Sequence, residues 1–282
     1  MKQLIIASLA LASLTATIAR ADDANTSPAT APTATPALTS NIGLVSDYRF
    51  RGISQTWMNP AIQGGLDYAA QGPLSGLYVG TWGSNVSGNS YNNGAGMEWD
   101  VYGGWRTTVA DTVSLDFGAL AYIYPGASLN SAPGVASNTK YNNVDVYGSF
   151  SVGGFTAKLS VAATNYFGLN STTAGFAYYS PLSAAGSSKG SAYLDLTYSA
   201  DLGQGYSASL HLGRLEMHHY GELSYTDAKL ALSKDFSDGF SASVAVIGTD
   251  ADKRFYQVTN SAGLAPKAVG KAGVVLGVSR SF

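Results

Sequence analysis

Apolar residues in this chain return at every second position. In TVSLDFGALAYIY, Val113, Leu115, Phe117 and Ala119 fall on one side of an extended backbone and Ser114, Asp116 and Gly118 on the other, which is the period of a β-strand. The same alternation recurs in MEWDVYGGW, NVDVYGSF, FTAKLSVAATNY, AYLDLTYS, YSASLHLG, DAKLALS, FSASVAVIG and the closing KAGVVLGVSRSF. Three more strands are expected over about Asn41–Phe50, Pro60–Ala70 and Leu74–Asn85. The total is about twelve, within bounds of roughly 10 to 14, and each spans about ten residues, the length of a tilted membrane-crossing strand.

The connections sort by length. QGP at 71–73, VAD at 109–111, Gly153-Gly154, LGQG at 202–205 and SDG at 237–239 are short. They alternate with long polar links that include SGNSYNNGAG, Pro125 to Lys140, Phe167 to Gly190 and Asp250 to Gly270. Short turns at one end and long loops at the other are the pattern of a bacterial outer-membrane barrel, with the turns in the periplasm and the loops outside. The expected fold is therefore all-β, a transmembrane antiparallel up-and-down β-barrel. An even strand count returns both termini to the periplasmic end.

The end of the chain fits the same reading. Val274, Leu276 and Val278 alternate with small residues up to Phe282, and a barrel must pair its last strand with its first to leave no edge. Phe282 is expected in the aromatic girdle at the inner interface. Gly277 and Phe282 also resemble the terminal signal that the barrel insertion machinery reads. Arg280 departs from that pattern because it shares the outward parity of Val278, although its stem can snorkel to headgroups.

The first residues are not expected in the fold. Lys2 precedes an apolar stretch from Leu4 to about Ala16, followed by Ala19-Arg20-Ala21, a small-x-small cleavage pattern, so residues 1–21 read as a secretory signal peptide. Residues 22–39, rich in Ala, Thr and Pro, read as a disordered leader; a Pro-rich partner-binding segment is the sharper alternative. The barrel is assigned to 40–282. Cleavage removes two basic residues and no acid, leaving 14 basic against 18 acidic residues.

Composition adds a little. Only 12% of residues are charged, Gly numbers 33, and 18 Tyr outnumber 10 Phe, which suits a sheet-rich protein with one wet face. The absence of cysteine excludes disulfides and thiolate metal sites.

The segments SNIGLVSDYRFRGISQTWMNPAIQGGLDYA, SGLYVGTWGSNV and MEWDVYGGW carry a resemblance. The chain resembles the TorF family of porins, also described as the Gcw_chp family, above all at Tyr48-Arg49-Phe50-Arg51-Gly52-Ile53-Ser54 and at Gln63-Gly64. The resemblance covers about Asn41 to Phe282 and implies an outer-membrane barrel and a channel, without naming a solute.

Parity assigns the wall. Asp47, Arg49 and Arg51 fall opposite Leu44, Tyr48 and Phe50 and are expected to face the lumen, either as a constriction or as braces of the barrel seam. The same rule turns Asp67, Glu98, Asp100, Asp116, Asp145, Asp195 and Asp227 inward, with Arg106, Lys158 and Lys229 as the opposite sign. The expected pore lining is net acidic, consistent with cation preference unless the surplus is neutralised locally or the lumen is plugged. Inward Tyr102, Tyr122, Tyr147 and Tyr193 narrow the bore, whereas Gly65, Gly104, Gly118, Ser149 and Ser160 are expected to keep space.

Other chemistries find less support. Glu216, His218 and His219 cluster in an expected external loop, but adjacent strand histidines point apart, so ordinary loop polarity is favoured over metal binding. His211, His218 and His219 are the histidine bases, and none lies in a nucleophile-activating context. No phosphate loop and no nucleic-acid patch is present. The function expected is passive conduction of small hydrophilic solutes or ions, without enzymatic activity or cofactor. Its partners are outer-membrane lipid, the insertion machinery and the solutes. A closed barrel that anchors external loops for structure or adhesion is the alternative.

Overall fold

The alternating segments form twelve strands in chain order: β1 (Leu38–Val45), β2 (Ala61–Ala69), β3 (Leu77–Asn85), β4 (Met97–Ala110), β5 (Val113–Ile123), β6 (Asn143–Val152), β7 (Phe155–Ala162), β8 (Ala192–Gly203), β9 (Tyr206–Glu216), β10 (Tyr225–Asp235), β11 (Phe240–Thr249) and β12 (Gly273–Ser281). This computed structural model describes residues 38–87, 94–110, 113–129, 134–136, 139–176, 179–258 and 265–282. The expected signal peptide, and the leader up to residue 37, lie outside the described residues.

Each strand pairs antiparallel with its sequence neighbours, and β1 closes on β12, giving the expected closed up-and-down barrel. Partners across the seam run from Asn41↔Ser281 to Val45↔Gly277. Ser40 and Phe282 then exchange backbone hydrogen bonds of 3.2 and 2.8 Å. No edge strand is left to seek a partner. Among the described residues α-helix is nearly absent: Lys253–Tyr256 forms a single turn capped by Asp252, whose carboxylate accepts from the Arg254 amide.

Alternation sorts the side chains as the pattern requires. Leu66, Val79, Phe117, Leu210, Leu230 and Leu276 point outward and are exposed. Polar or aromatic residues between them turn into the bore. The connections sort as expected too. The six long connections leave the barrel after Val45, Asn85, Ile123, Ala162, Glu216 and Thr249 at one end, and the short connections, the start of β1 and the end of β12 lie at the other.

The first strand is shorter than expected. It ends at Val45 rather than Phe50, and residues 46–60 fold into the bore. Arg49–Phe50 pairs with Ile53–Ser54 in a two-residue hairpin, turned by Arg51 (φ 47°) and Gly52 (φ 78°). Tyr48 and Phe50, expected to face lipid, are buried at 3% and 6% exposure. The alternation continues beyond Val45 because both faces of this inturned segment are covered by the barrel's own interior.

Candidate functional site in the bore

The inturned hairpin crosses the barrel. Gly52 lies so close to the wall at β10 and β11 that a Cβ there would stand 2.5 Å from Thr249 Cγ2 and 2.8 Å from Asp227 Cβ. With φ at +78°, glycine is the residue that fits this tip.

Its two arginines act in different directions. Arg49 Nε donates to Asp47 at 2.6 Å, and Asp47 also accepts from the Ser54 and Thr56 hydroxyls at 2.6 and 3.1 Å. Arg49 Nη1 reaches the backbone carbonyls of Gly52 at 3.1 Å and Lys271 at 2.9 Å, tying the hairpin to itself and to the 250–272 segment. Arg51 instead spans the bore to β6, where Nη2 meets Asp145 at 2.8 Å, and Nη1 donates to the Tyr166 hydroxyl at 3.2 Å. Its guanidinium lies 4.4 Å from the centre of the Tyr193 ring, and its backbone carbonyl accepts from Tyr225 at 2.9 Å. Arg49 and Arg51 are 4% and 3% exposed, and such buried charges are tolerated only when paired and hydrogen-bonded.

An aromatic cluster packs around the hairpin. Phe167 packs against Phe50, Tyr122, Tyr124, Tyr141 and Tyr166 with ring centres 4.7 to 5.8 Å apart. Burial pushes the Tyr124 hydroxyl well above its usual titration range, so it stays neutral. The cavity left among these rings is about 20 Å³, room for about one water.

Below the hairpin sits a charged node. His211 Nδ1 lies 3.1 Å from Asp195 and Nε2 lies 3.0 Å from Asp227. Tyr193 donates to Asp227 at 2.9 Å, and Thr197 to Asp195 at 2.8 Å. Parity turns both aspartates inward, but His211 as their shared partner emerges only once the registers of β8, β9 and β10 are known. Its signal was the inward parity it shares with Gly213 and Leu215.

The short-turn half of the bore is different. Asp67 accepts from Tyr102 at 2.6 Å, Asp116 accepts from Tyr78 at 2.6 Å and pairs with Arg106 at 2.9 Å, and Lys158 lies 4.3 Å over the Tyr147 ring. Tyr78 and Tyr147 share a short hydroxyl contact. These side chains are half-buried or exposed, so water reaches them. The glycines expected to keep space do not. A Cβ on Gly118 would stand 2.5 Å from the Tyr147 hydroxyl, one on Gly104 2.6 Å from that of Tyr78, and one on Gly65 3.2 Å from Trp82. Inward tyrosines fold flat across neighbouring strands, and the missing side chains are where the rings lie.

The thirteen residues expected to line the pore thus divide into three groups. Asp47, Arg49 and Arg51 are inward, but on the hairpin rather than on a wall strand. Glu98, Asp100, Asp145, Asp195 and Asp227 are wall residues buried in the loop half, and Glu98 accepts from Tyr48 at 3.0 Å. Asp67, Arg106, Asp116, Lys158 and Lys229 line the remaining wall. Gly277 faces inward at the seam, where a Cβ would stand 2.7 Å from Ser243 Oγ, and Phe282 is exposed at the rim.

The loop histidines do not point apart as expected. His219 adopts φ 63°, the two rings stack 3.9 Å apart, and their Nδ1 atoms contact the carbonyls of Lys189 (2.9 Å) and Ser187 (2.8 Å), joining two long loops. Among the described residues no group of three or more His, Asp or Glu side chains is arranged to hold a metal ion; the His211 node spends both ring nitrogens on its two aspartates.

Twelve antiparallel strands close into an up-and-down β-barrel whose bore carries polar and charged side chains and an inturned loop. The chain belongs to the Gcw_chp family, described as a bacterial protein of unknown function, whose model matches residues 29–282. That description assigns no activity, and the match does not carry the TorF name. Among solved structures the chain is similar to a KdgM porin (8% identity, TM-score 0.48, covering 87% of this chain and 98% of that one). It is also similar to a KdgM porin in complex with disordered oligogalacturonate (9%, 0.48, 87% and 98%) and to a NanC porin (8%, 0.46, 87% and 99%). The comparison with curated proteins returned no significant match.

Proposed function

We propose that this protein is an outer-membrane channel of the porin type whose bore is held shut at its loop end by the 46–60 hairpin. It passes small hydrophilic solutes or ions when that hairpin undocks. The observation that carries this reading is the contrast within the bore: the short-turn half is polar, charged and wet, while the loop half is filled by the inturned segment packed on aromatic side chains of β5 and the 124–142 and 163–191 connections. A belt of apolar side chains on every strand has no place in water and suits lipid. Residues 1–21 direct export, the short turns and both termini face the periplasm, and Gly277 and Phe282 engage the insertion machinery.

A second reading, a permanently closed barrel anchoring external loops, draws on the two buried ion pairs and the small cavity at the seal. Planar-bilayer recording separates the two. The backbone of Gln55 donates to that of Tyr48 at 2.7 Å, so Arg49–Ser54 can be excised and bridged by Gly-Gly without moving the wall. The channel reading expects rare openings from the intact protein and frequent, larger steps from the excised one. Silence from both, with insertion confirmed, favours the anchor.

A further inference from the structure

Charge on the outward face of the barrel is scarce and unevenly placed. Alternation along the strands leaves four outward charges among the described residues: Arg214, Glu216, Lys234 and Arg280. Arg214 and Glu216 stand at the loop end of β9 and pair at 2.6 Å, so that end carries no net charge outward. Lys234 and Arg280 stand at the short-turn ends of β10 and β12. The strand acids at this rim, Asp201 and Asp235, fall by alternation on the bore side, and Asp238 lies beyond the strands in an exposed turn.

Arg280 is held in a particular way. Its guanidinium lies 4.7 Å from the centre of the Phe240 ring and 4.8 Å from that of Phe282. Its Nε is buried without a hydrogen-bond partner, and among the described residues no acid forms an ion pair with it. Lys234 lies 4.2 Å over the Tyr206 ring and donates to the Gln204 carbonyl. Aromatic faces orient a cation but do not neutralise it; Asp235 lies near enough to Lys234 to interact with it electrostatically, whereas no acid among the described residues pairs with Arg280, so the outer rim keeps a positive charge that calls for an anion.

We propose that Arg280 and Lys234 form a headgroup site for an anionic glycerophospholipid in the leaflet at the short-turn end. A guanidinium clamped between two rings presents its free edge to a phosphate diester, which a planar fork of donors binds best. Lys234 adds a second positive charge along the rim, and acyl chains run along Val278 and Leu276. The site rests on the reading that the outer wall faces lipid, but not on conduction.

Native mass spectrometry of the refolded chain tests it, with equal amounts of phosphatidylglycerol and phosphatidylethanolamine offered in detergent. The wild type should retain phosphatidylglycerol preferentially, and Arg280→Gln and Lys234→Gln should each lower that preference by about fivefold. Arg280→Lys, which keeps the charge and loses the fork, should fall between. Heat-dependent gel mobility verifies that each barrel has formed. Equal retention of the two lipids by the wild type, or a preference unchanged in both Gln variants, overturns the site. Stronger retention of lipid A through the same two residues also overturns it, because that lipid belongs to the opposite leaflet. A conducting barrel without lipid preference sinks this inference alone, and a silent barrel that keeps the preference sinks only the channel.

Discussion

Replacing Arg51 with alanine should unseat the hairpin without unmaking the barrel. The substitution leaves Asp145 buried in the docked state with the Asn143 amide, at 2.7 Å, as its remaining side-chain partner. Stranding one member of a buried ion pair costs about 3–5 kcal/mol. Undocking lets water reach Asp145, so most of that cost falls on the docked state and shifts the docked-to-undocked ratio by on the order of 10². Arg51→Ala/Asp145→Ala removes both charges. Besides the pair it loses the contacts with Tyr193 and Phe50 and the hydrogen bonds to Tyr166 and from Asn143, neutral or partly compensated terms of about 1–2 kcal/mol each at most. The double variant should therefore open less than either single variant. Single-channel open probability across the four proteins reads the coupling directly. If the single variants open no more often than wild type, with insertion confirmed, then the Arg51–Asp145 contact does not hold the gate. If the effects simply add, the pair is not the coupled unit described above.

Gly52→Val should have a similar consequence by a steric route, because its side chain meets Thr249 and Asp227 at a positive φ. Conductance steps should become more frequent while the circular dichroism spectrum of the barrel stays unchanged. Deleting Phe282 removes the Ser40 exchange at the seam and one ring of the Arg280 clamp, so the assembled yield should fall with conductance per channel preserved; normal yield would refute a role for the terminus. Protease added to intact cells should reach the segments around Thr139 and Ser187, while an epitope at Gly153 stays hidden. The reverse accessibility would invert the proposed orientation. The reversal potential across a KCl gradient should show modest cation preference at low salt. If the Arg49 and Arg51 charges control the narrowest point, Arg49→Ala/Arg51→Ala should convert an anion-selective channel to a cation-selective one.

Period, strand number and the sorting of short and long connections were legible in the sequence, because a barrel wall repeats one local rule. The hairpin was not. Asp47, Arg49 and Arg51 alternate with Tyr48 and Phe50 as a wall strand would, and only the turn at Arg51-Gly52 hints that the chain doubles back. Alternation reports that two faces differ and not which environments cover them. Inward parity located Asp195 and Asp227, yet their bonds to His211 depend on cross-strand register. The covering of Gly104 and Gly118 by Tyr78 and Tyr147 depends on register in the same way.

Arg49 gives the seam a mechanical property. The strand joined to the hairpin is β1, and the carbonyl that Arg49 grips at Lys271 lies just ahead of β12. One side chain therefore staples the first strand to the last at the loop end, while Ser40 and Phe282 button the same seam at the other end. A barrel that unzips laterally along this line must release the staple, and with it goes the hairpin's hold on the 250–272 segment. In assembly the order runs backwards: the partners of Arg51 on β6 and β10 must be in place before the hairpin can dock. Docking of the hairpin therefore needs strands from both halves of the sheet, so the same contacts that fill the bore also report that those strands are in place.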